Sequence, residues 1–202
     1  MKITVTVLSQ IFARRDFTAT IFGMPRIVHY ARVQTPVGEL LIAATGKGLC
    51  RLQLKGELPA PKEDETWIES REHLRPYEKQ LLAYFRGELR DFNCDLDLDG
   101  TPFQKRCWEA LRRIPYGATC SYAEIAQAIG RPRAFRAVGQ ANHQNPVAII
   151  VPCHRVIGAD GALTGYGGGL GMKQALLRLE GVTAQRGLEF PDHTAGVTQK
   201  CG

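Results

Sequence analysis

Residues 121–142 read SYAEIAQAIGRPRAFRAVGQAN, and this stretch specifies the architecture of the second half of the chain. Ser121 and Glu124 form a capping-box pattern, which begins a short helix. Gly130 ends that helix and Pro132 turns the chain, so that a second helix is expected over residues 134–142. Two short helices joined by a tight glycine-containing turn are typical of a helix-turn-helix, although such hairpins also occur as plain helical cores.

The second helix of this hairpin has the composition of a DNA-binding element. Its basic side chains, with those of the turn, are Arg131, Arg133 and Arg136. The small residues beside them are Ala134, Ala137 and Gly139. Basic groups neutralise phosphates, and small residues let a helix backbone approach a phosphate or the floor of a groove. The combination favours DNA as the partner over a purely structural hairpin.

Residues 152–156, PCHRV, place a thiol beside an imidazole and a guanidinium. Positive neighbours favour the thiolate of Cys153, which is the nucleophilic form of the side chain. A Cys-His pair alone is weak evidence, because adjacent residues of a strand point to opposite faces, and a buried structural cysteine is the alternative. A functional cysteine is favoured by Pro152, by the charge of Arg155 and by the turn at Asn145–Pro146.

The sequence predicts an α/β (α+β) protein whose first half is rich in strands. Three strands of an antiparallel meander are expected over residues 27–33, 39–45 and 49–54, and a loop over residues 56–66. Apolar residues then recur at three- and four-residue spacing from Leu74 to Leu89, which indicates one amphipathic helix.

The second half is predicted to be mostly helical. A capping box at Thr101–Gln104 begins its first helix, and the last helix is expected over residues 172–180. The apolar run 147–151 is predicted to be a buried strand.

An acidic, irregular stretch at residues 91–100 marks a domain boundary. The expected division is an N-terminal extension over residues 1–24, a first domain over 25–98, a second domain over 99–183 and a flexible tail over 184–202. For the extension, an organellar presequence is the alternative.

The composition is that of a globular protein whose partner can be polyanionic. The 202 residues carry a net charge of +6, with 44% hydrophobic and 23% charged residues, which suffices for a hydrophobic core. No apolar run approaches the ~20 residues that span a bilayer. Six cysteines without CxxC spacing favour reduced thiols and a cytoplasmic protein over a zinc ribbon or a secreted disulfide framework. The glycine-rich residues 165–171 lack the Lys-Ser/Thr of a P-loop, so no nucleotide cofactor is expected.

Several motifs of the chain occur together in one known family. They are Ser121–Tyr122, RAVG at 136–139, Asn145–Pro146, PCHRV at 152–156, Gly165–Tyr166 and residues 176–181. In combination they resemble the O6-alkylguanine-DNA alkyltransferases, also called methylated-DNA–protein-cysteine methyltransferases. The resemblance is strong over residues 103–181 and loose over residues 30–90. It implies an RNase H-like N-terminal domain and a winged-helix-like C-terminal domain that contains the helix-turn-helix.

The resemblance also implies a reaction. It is DNA repair by direct reversal, in which a methyl or other alkyl group moves from O6-alkylguanine, or from O4-alkylthymine, to Cys153. The transfer is irreversible, and each protein molecule reacts once. No cofactor and no metal is expected, since the chemistry needs neither and no Cys/His cluster matches the zinc site of some relatives.

Roles for single residues follow from the resemblance in the same way. His154 is expected to take the thiol proton of Cys153 through a water, and Glu180 to hold the imidazole, although a carboxylate at a helix end is by default a solvated surface group. Asn145 is expected to brace the turn before the cysteine, and Tyr122 to donate toward the purine. The residues expected to surround the substrate base are Val156, Tyr166, Gly167 and Arg155.

The DNA-binding mode is implied by the family as well. Because the alkyl carbon lies inside a duplex, the nucleotide must be rotated out before a buried thiol reaches it. Arg136 is expected to enter the base stack, in a minor-groove approach of low sequence specificity by a monomer. The residues expected to contact DNA are Arg136, Ala134, Ala137, Gly139 and Arg133.

Two positions depart from the family pattern. Phe135 replaces a small residue, which bears on how closely the helix approaches DNA. Gly167 replaces a serine or alanine, which predicts a roomier pocket that accepts groups larger than methyl. Three alternatives stay open: a non-catalytic binder of alkylated DNA, a transcriptional regulator and a cysteine hydrolase. Cys153 argues against the first, the PCHRV motif against the second, and single use of the thiol would exclude the third.

Overall fold

The computed structural model describes residues 25–55 and 57–182, together with the backbone of residues 199–200. The predicted extension over residues 1–24 and most of the predicted tail therefore lie outside the described residues.

The first half of the chain contains a four-stranded sheet of order β3-β2-β1-β4. Its strands are β1 (Arg26–Thr35), β2 (Gly38–Thr45), β3 (Gly48–Gln53) and β4 (Glu65–Glu69). The first three form the predicted antiparallel meander. Gly38 turns the chain between β1 and β2 with a φ of 108°, in the left-handed region that favours glycine. Strand β4 lies parallel to β1 at the sheet edge. Strand β4 begins inside the predicted loop over residues 56–66 and was not predicted, because a charged, proline-containing stretch carries little strand signal.

Five α-helices lie in the described part of the chain. They are α1 (Arg71–Phe85), α2 (Pro102–Arg112), α3 (Tyr122–Ala128), α4 (Phe135–His143) and α5 (Leu170–Leu179). Both predicted capping boxes are confirmed, at Thr101 before α2 and at Ser121 before α3. Helix α1 ends at Phe85, before the predicted Leu89, and Gly87 then turns the chain with a φ of 73°. The hairpin of α3 and α4 is the predicted helix-turn-helix.

A small parallel sheet lies beside these helices, in the order β6-β5-β7. Its strands are β5 (Ala118–Ser121), β6 (Val156–Ile157) and β7 (Gln199–Lys200). Strand β5 ends at Ser121, the N-cap of α3, and β6 begins where a 3-10 helix (Cys153–Arg155) ends. The small sheet therefore links the start of the helix-turn-helix to the cysteine.

One cluster of buried apolar side chains extends through both halves of the chain. It includes Ile42 and Leu52 of the large sheet, Leu81 of α1 and Trp108 of α2. The Trp108 indole donates a hydrogen bond of 2.8 Å to the Ala141 carbonyl and so ties α2 to α4. Because the core is continuous, the large sheet has a fixed position relative to the helix-turn-helix.

The apolar run 147–151 is a tight turn, and its prediction as a strand was wrong. Ile149 has a φ of 71°, which is rare for a β-branched residue, and Val151 N donates to Val147 O at 2.9 Å. Asn145 holds the turn from inside: Nδ2 donates to Val151 O at 2.7 Å, and Oδ1 accepts from Val147 N at 3.0 Å. Strand β3 holds it from outside, since Ala148 N donates to Leu52 O at 3.2 Å. The run therefore pairs with β3 only through an isolated bridge between Leu52 and Val147 and forms no continuous strand.

The cysteines differ in oxidation state. Cys50, Cys94, Cys107 and Cys153 are free thiols, as the sequence predicts. Cys120 is disulfide-bonded, so the prediction of reduced thiols was wrong at this position. Among the described residues, no helix is long and apolar enough to cross a membrane.

Candidate active site

Cys153 lines a cavity of about 320 Å³ between the two halves of the chain. One wall comes from the end of β3 and the residues after it, and the others from the helix-turn-helix and the glycine-rich loop. The predicted site residues that line the cavity are Tyr122, Gly139, Asn145, Cys153, Tyr166 and Gly167. The structure therefore brings together residues that lie up to 45 positions apart in the chain, as the separation of Tyr122 and Gly167 shows.

The Cys153 thiol is buried and neutral at rest. Burial raises its pKa, and the hydrogen bond from Asn145 Nδ2 to Sγ, at 3.1 Å, opposes that rise without cancelling it. A neutral, buried thiol needs a base when it reacts, which is the role expected of His154.

Glu180 occupies the C-cap of α5 and is buried, not solvated. Its carboxylate accepts five hydrogen bonds. Oε1 accepts from Tyr84 Oη (2.8 Å), His154 Nε2 (2.9 Å) and Arg155 Nη2 (2.9 Å), and Oε2 from Arg155 Nε (2.8 Å) and Gly117 N (3.3 Å). Burial alone would raise the pKa of this carboxyl, but the hydrogen bonds from His154 and Arg155 and the charge of Arg155 outweigh it and lower the pKa to about 2. Glu180 is therefore an anion at neutral pH.

The pairing with Glu180 determines which nitrogen of His154 is basic. An anionic carboxylate accepts the hydrogen of Nε2, so in the neutral ring Nδ1 carries the free lone pair. Nδ1 is buried and has no hydrogen-bond partner within the described residues. Burial lowers the pKa of His154 against the opposing effect of Glu180, which keeps the ring neutral. His154 thus has the protonation state of a general base.

Arg155 is not among the residues that line the cavity, contrary to its expected place around the substrate base. Its Nε and Nη2 donate to Glu180, and its Nη1 donates to Ile114 O at 2.6 Å. The guanidinium is buried, with its carbon 5.9 Å from the centre of the Tyr116 ring. It therefore neutralises Glu180. The sequence could not show this, because Arg155 and Glu180 are 25 residues apart.

Lys173 is a site residue that the sequence analysis missed. It is fully buried on α5, and its ammonium donates to Val156 O and, at 3.1 Å, to Thr164 O. Burial lowers its pKa to about 8, and its positive charge in turn favours the Cys153 thiolate. A lysine on the apolar face of a helix, three residues before Leu176, was the available signal. The Val156 carbonyl already accepts a hydrogen bond from Lys173, so it has less capacity to accept one from a substrate.

Two tyrosines direct hydroxyl groups to this region. Tyr122 Oη accepts a hydrogen bond of 2.9 Å from Thr164 Oγ1, so its own hydrogen remains available to a ligand. Tyr166 Oη is buried without a hydrogen-bond partner in the part of the chain that the structure describes. A Cβ atom added at Gly167 would meet nothing within 4 Å, so the glycine leaves open space in the wall.

The exposed face of α4 and the turn before it carry the predicted basic residues. Arg131, Arg133, Arg136 and Ala137 are exposed, whereas Ala134 is the half-buried N-cap of α4. Phe135 is exposed too, and the Arg136 guanidinium carbon lies 5.9 Å from the centre of its ring. Gly139 faces Tyr122: a Cβ atom there would lie 3.8 Å from the ring. This face therefore adjoins the cavity that contains Cys153.

Two regions of the chain match the two domains of one family. Residues 28–98 match the ribonuclease-like domain of 6-O-methylguanine DNA methyltransferase, and residues 102–182 match its DNA binding domain. The chain belongs to the 6-O-methylguanine DNA methyltransferase family. Its activity is that of this family, the repair of alkylated DNA by direct transfer of the alkyl group to a cysteine of the protein, and DNA is its partner.

Individual members of the family are similar over most of their length. The methylated-DNA–protein-cysteine methyltransferase of Methanosarcina barkeri is 51% identical over 158 residues, which are 76% of this chain and 97% of that protein. The enzyme of the same name from Mycobacterium tuberculosis is 51% identical over 161 residues, with 76% and 93% covered. A crystal structure of Mycobacterium tuberculosis OGT in complex with DNA matches with a TM-score of 0.69 and 52% identity, over 75% of this chain and 92% of that chain. The predicted family, mixed α/β fold and activity are confirmed.

Proposed function

We propose that Cys153 Sγ is the atom that accepts the alkyl group of O6-alkylguanine, once per protein molecule. The observation that carries this proposal is the position of the thiol: it lines the cavity and is adjacent in sequence to His154, whose Nε2 is 2.9 Å from Glu180. Among the free cysteines Cys50, Cys94, Cys107 and Cys153, this cavity is lined by Cys153 alone.

The reaction then proceeds in two coupled parts. Nδ1 of His154 takes the thiol proton through a water, and Glu180 stabilises the imidazolium that results. The thiolate attacks the alkyl carbon, so that the Sγ–carbon bond forms while the carbon–O6 bond breaks. The electron pair of the broken bond remains on the guanine, where the available hydrogen of Tyr122 offsets the charge. The product thioether is stable, and the protein is consumed.

Three residues prepare the thiolate. Asn145 donates to Sγ, and the same amide holds the turn that places the cysteine. The positive charge of Lys173 favours the thiolate electrostatically. Arg155 keeps Glu180 ionised, so the carboxylate remains an acceptor for His154.

We further propose that α4 enters the minor groove of DNA and that Arg136 fills the space left by the extruded nucleotide. The exposed Arg131, Arg133 and Arg136 contact phosphates or the base stack. The small side chain of exposed Ala137 lets the helix backbone approach the groove closely. Contacts of this kind predict low sequence specificity and binding that weakens with salt. Phe135, exposed beside Arg136, does not fill the core and supports the arginine from one side. The protein acts as a monomer.

The open space at Gly167 supports a pocket that accepts alkyl groups larger than methyl. Comparing transfer from O6-methylguanine and O6-butylguanine in DNA tests this: rates within about tenfold of each other are expected, and a steep fall with size would contradict it. Substitution of Gly167 by serine should reduce the butyl rate and spare the methyl rate. O4-alkylthymine is proposed as a second, slower substrate for the same pocket.

We also propose the domain limits 25–98 and 99–183, which the family matches over residues 28–98 and 102–182 support. A cytoplasmic location is proposed because a reduced Cys153 is required for the reaction, and the thiol is free in the structure.

The decisive experiment traces a labelled methyl group from DNA to the protein. The protein is incubated with duplex DNA that contains radiolabelled O6-methylguanine, and peptides are then mapped by mass spectrometry. We expect one methyl group per protein, on the peptide that contains Cys153. Cys153→Ala should abolish transfer and retain DNA binding, whereas the matched control Cys94→Ala should transfer normally. Label on another residue, or more than one turnover per molecule, would contradict the proposal.

A further inference from the structure

Tyr84 links the first half of the chain to the carboxylate of the site. It lies near the end of α1, is fully buried, and its hydroxyl donates to Glu180 Oε1 at 2.8 Å. The two residues are 96 positions apart in the chain. Glu180 and His154 belong to the DNA-binding half, so this hydrogen bond is a direct contribution of the ribonuclease-like domain to the site.

The Tyr84 ring is held tightly in place by other aromatic rings. Its centre lies 5.4 Å from those of Phe85 and Phe92 and 6.2 Å from that of Tyr116, with edge-on contacts to Phe85 and Tyr116. Tyr116 in turn donates to Leu179 O at 2.8 Å, next to Glu180 in the chain. The hydroxyl therefore has one fixed direction, and that direction is toward the carboxylate.

We propose that Tyr84 is a positioning residue for alkyl transfer: it holds Glu180 in the orientation that His154 needs and adjusts how strongly Glu180 favours the imidazolium. The inference rests on the proposed relay of Cys153, His154 and Glu180. It gives the ribonuclease-like domain a part in the chemistry, in addition to its part in the core.

The physical reason lies in the crowding at Oε1. That oxygen accepts from Tyr84, His154 and Arg155, so its negative charge is shared by three donors. When one neutral donor is removed, the remaining charge attracts the other two more strongly, and the carboxylate is freer to rotate. A stronger attraction for the protonated ring raises the pKa of His154, while the freer carboxylate orients the ring less well.

Other charged and titratable groups around the pair have to stay unchanged for this comparison. Those that act on Glu180 or His154 are Arg155, Lys173, Tyr84, Tyr116 and Tyr166. The substitution Tyr84→Phe changes one of them, removes a single oxygen and keeps the ring that packs in the core.

The test compares Tyr84→Phe with Tyr77→Phe, which removes a hydroxyl from the same helix at a half-buried residue of the core edge. The second-order rate of methyl transfer to each variant is measured from pH 5 to pH 9, together with affinity for unmodified DNA. For Tyr84→Phe we expect a rate lower by about three- to tenfold at neutral pH, an acid limb displaced to higher pH, and unchanged DNA affinity. Tyr77→Phe should match the wild type.

A loss of rate in Tyr84→Phe without displacement of the acid limb would overturn the proposal, because removal of the Tyr84 hydrogen bond to Glu180 should change the pKa of His154. Incorporation of 3,5-difluorotyrosine at position 84 covers the case in which Tyr84→Phe fails to fold. It makes the hydroxyl a stronger donor, so the acid limb should move to lower pH, and an unmoved limb would overturn the proposal as well. His154→Gln and Glu180→Gln test the proposed relay separately from the role of Tyr84. If both variants react like the wild type, the relay of Cys153, His154 and Glu180 is itself wrong.

Discussion

Replacement of Glu180 by glutamine removes one buried negative charge and nearly preserves the shape of the side chain. The carboxyl has a pKa of about 2 in the folded protein, against an ordinary value of 4.5. That difference corresponds to about 3 kcal/mol of stability at neutral pH, because protonation in the folded state must overcome the interactions with His154 and Arg155. Glutamine imitates the protonated carboxyl. We therefore expect Glu180→Gln to lower the free energy of unfolding by about 3 kcal/mol at pH 7.

The pH dependence gives this prediction a signature. A carboxyl whose pKa is depressed by folding stabilises the protein above pH 4.5, and this stabilisation is lost as the pH falls through about 2. At pH 3 only about 1 kcal/mol of it remains, so the stability difference between wild type and Glu180→Gln should shrink by about 2 kcal/mol between pH 7 and pH 3. Other carboxyls titrate equally in both proteins and cancel in the difference.

The assay is urea denaturation at several pH values, followed by the fluorescence of the buried Trp108, which packs in the second half of the chain. Glu88→Gln is the matched control, since Glu88 pairs with Arg86 at the exposed surface and should behave like the wild type at every pH. A difference that stays constant from pH 7 to pH 3, or that is well below 1 kcal/mol at pH 7, would refute the assignment of Glu180 as a strongly stabilised anion.

Four further predictions concern the thiol and its surroundings. Because burial lowers the pKa of His154, the transfer rate should hold at pH values below the ordinary histidine pKa of 6.5, and a rate–pH profile whose acid limb lies above 6.5 would contradict this. Asn145→Ala removes two hydrogen bonds that hold the turn at 147–151, so urea denaturation should show a loss of about 2 kcal/mol, with slower transfer as well. Lys173 has a depressed pKa of about 8, so its buried charge destabilises the fold below pH 8, and this destabilisation disappears as the pH rises toward 10.5. The stability of the wild type relative to Lys173→Met should therefore increase by about 3 kcal/mol over that range. A stability difference that does not change with pH would contradict the depressed pKa of Lys173. Arg136→Ala should slow repair of duplex DNA at least about tenfold more than the reaction with free O6-alkylguanine base, and equal losses on both substrates would assign Arg136 to the chemistry and not to extrusion.

Local patterns predicted the elements whose backbone is satisfied by near neighbours. The capping boxes at Thr101 and Ser121 use side chains three residues apart, so the starts of α2 and α3 were visible in the sequence. The meander of β1 to β3 was visible for the same reason, since tight turns join its strands. The run 147–151 was misinterpreted because its partners are Asn145 and Leu52, and one of these is far away in the chain.

The composition of the chemical site was evident in the sequence, since PCHRV and the residues of the helix-turn-helix are local motifs. The protonation states and the hydrogen-bond partners of these residues were not evident. Positive neighbours in the sequence favoured the thiolate of Cys153, whereas in the structure burial raises the pKa of this thiol and Arg155 is directed to Glu180. Charge and burial depend on which groups surround an atom in space, and these groups come from residues 84, 114, 117 and 180. Short-range order along the chain thus specified the motifs, and long-range packing set their protonation, their partners and the part that Tyr84 has in the site.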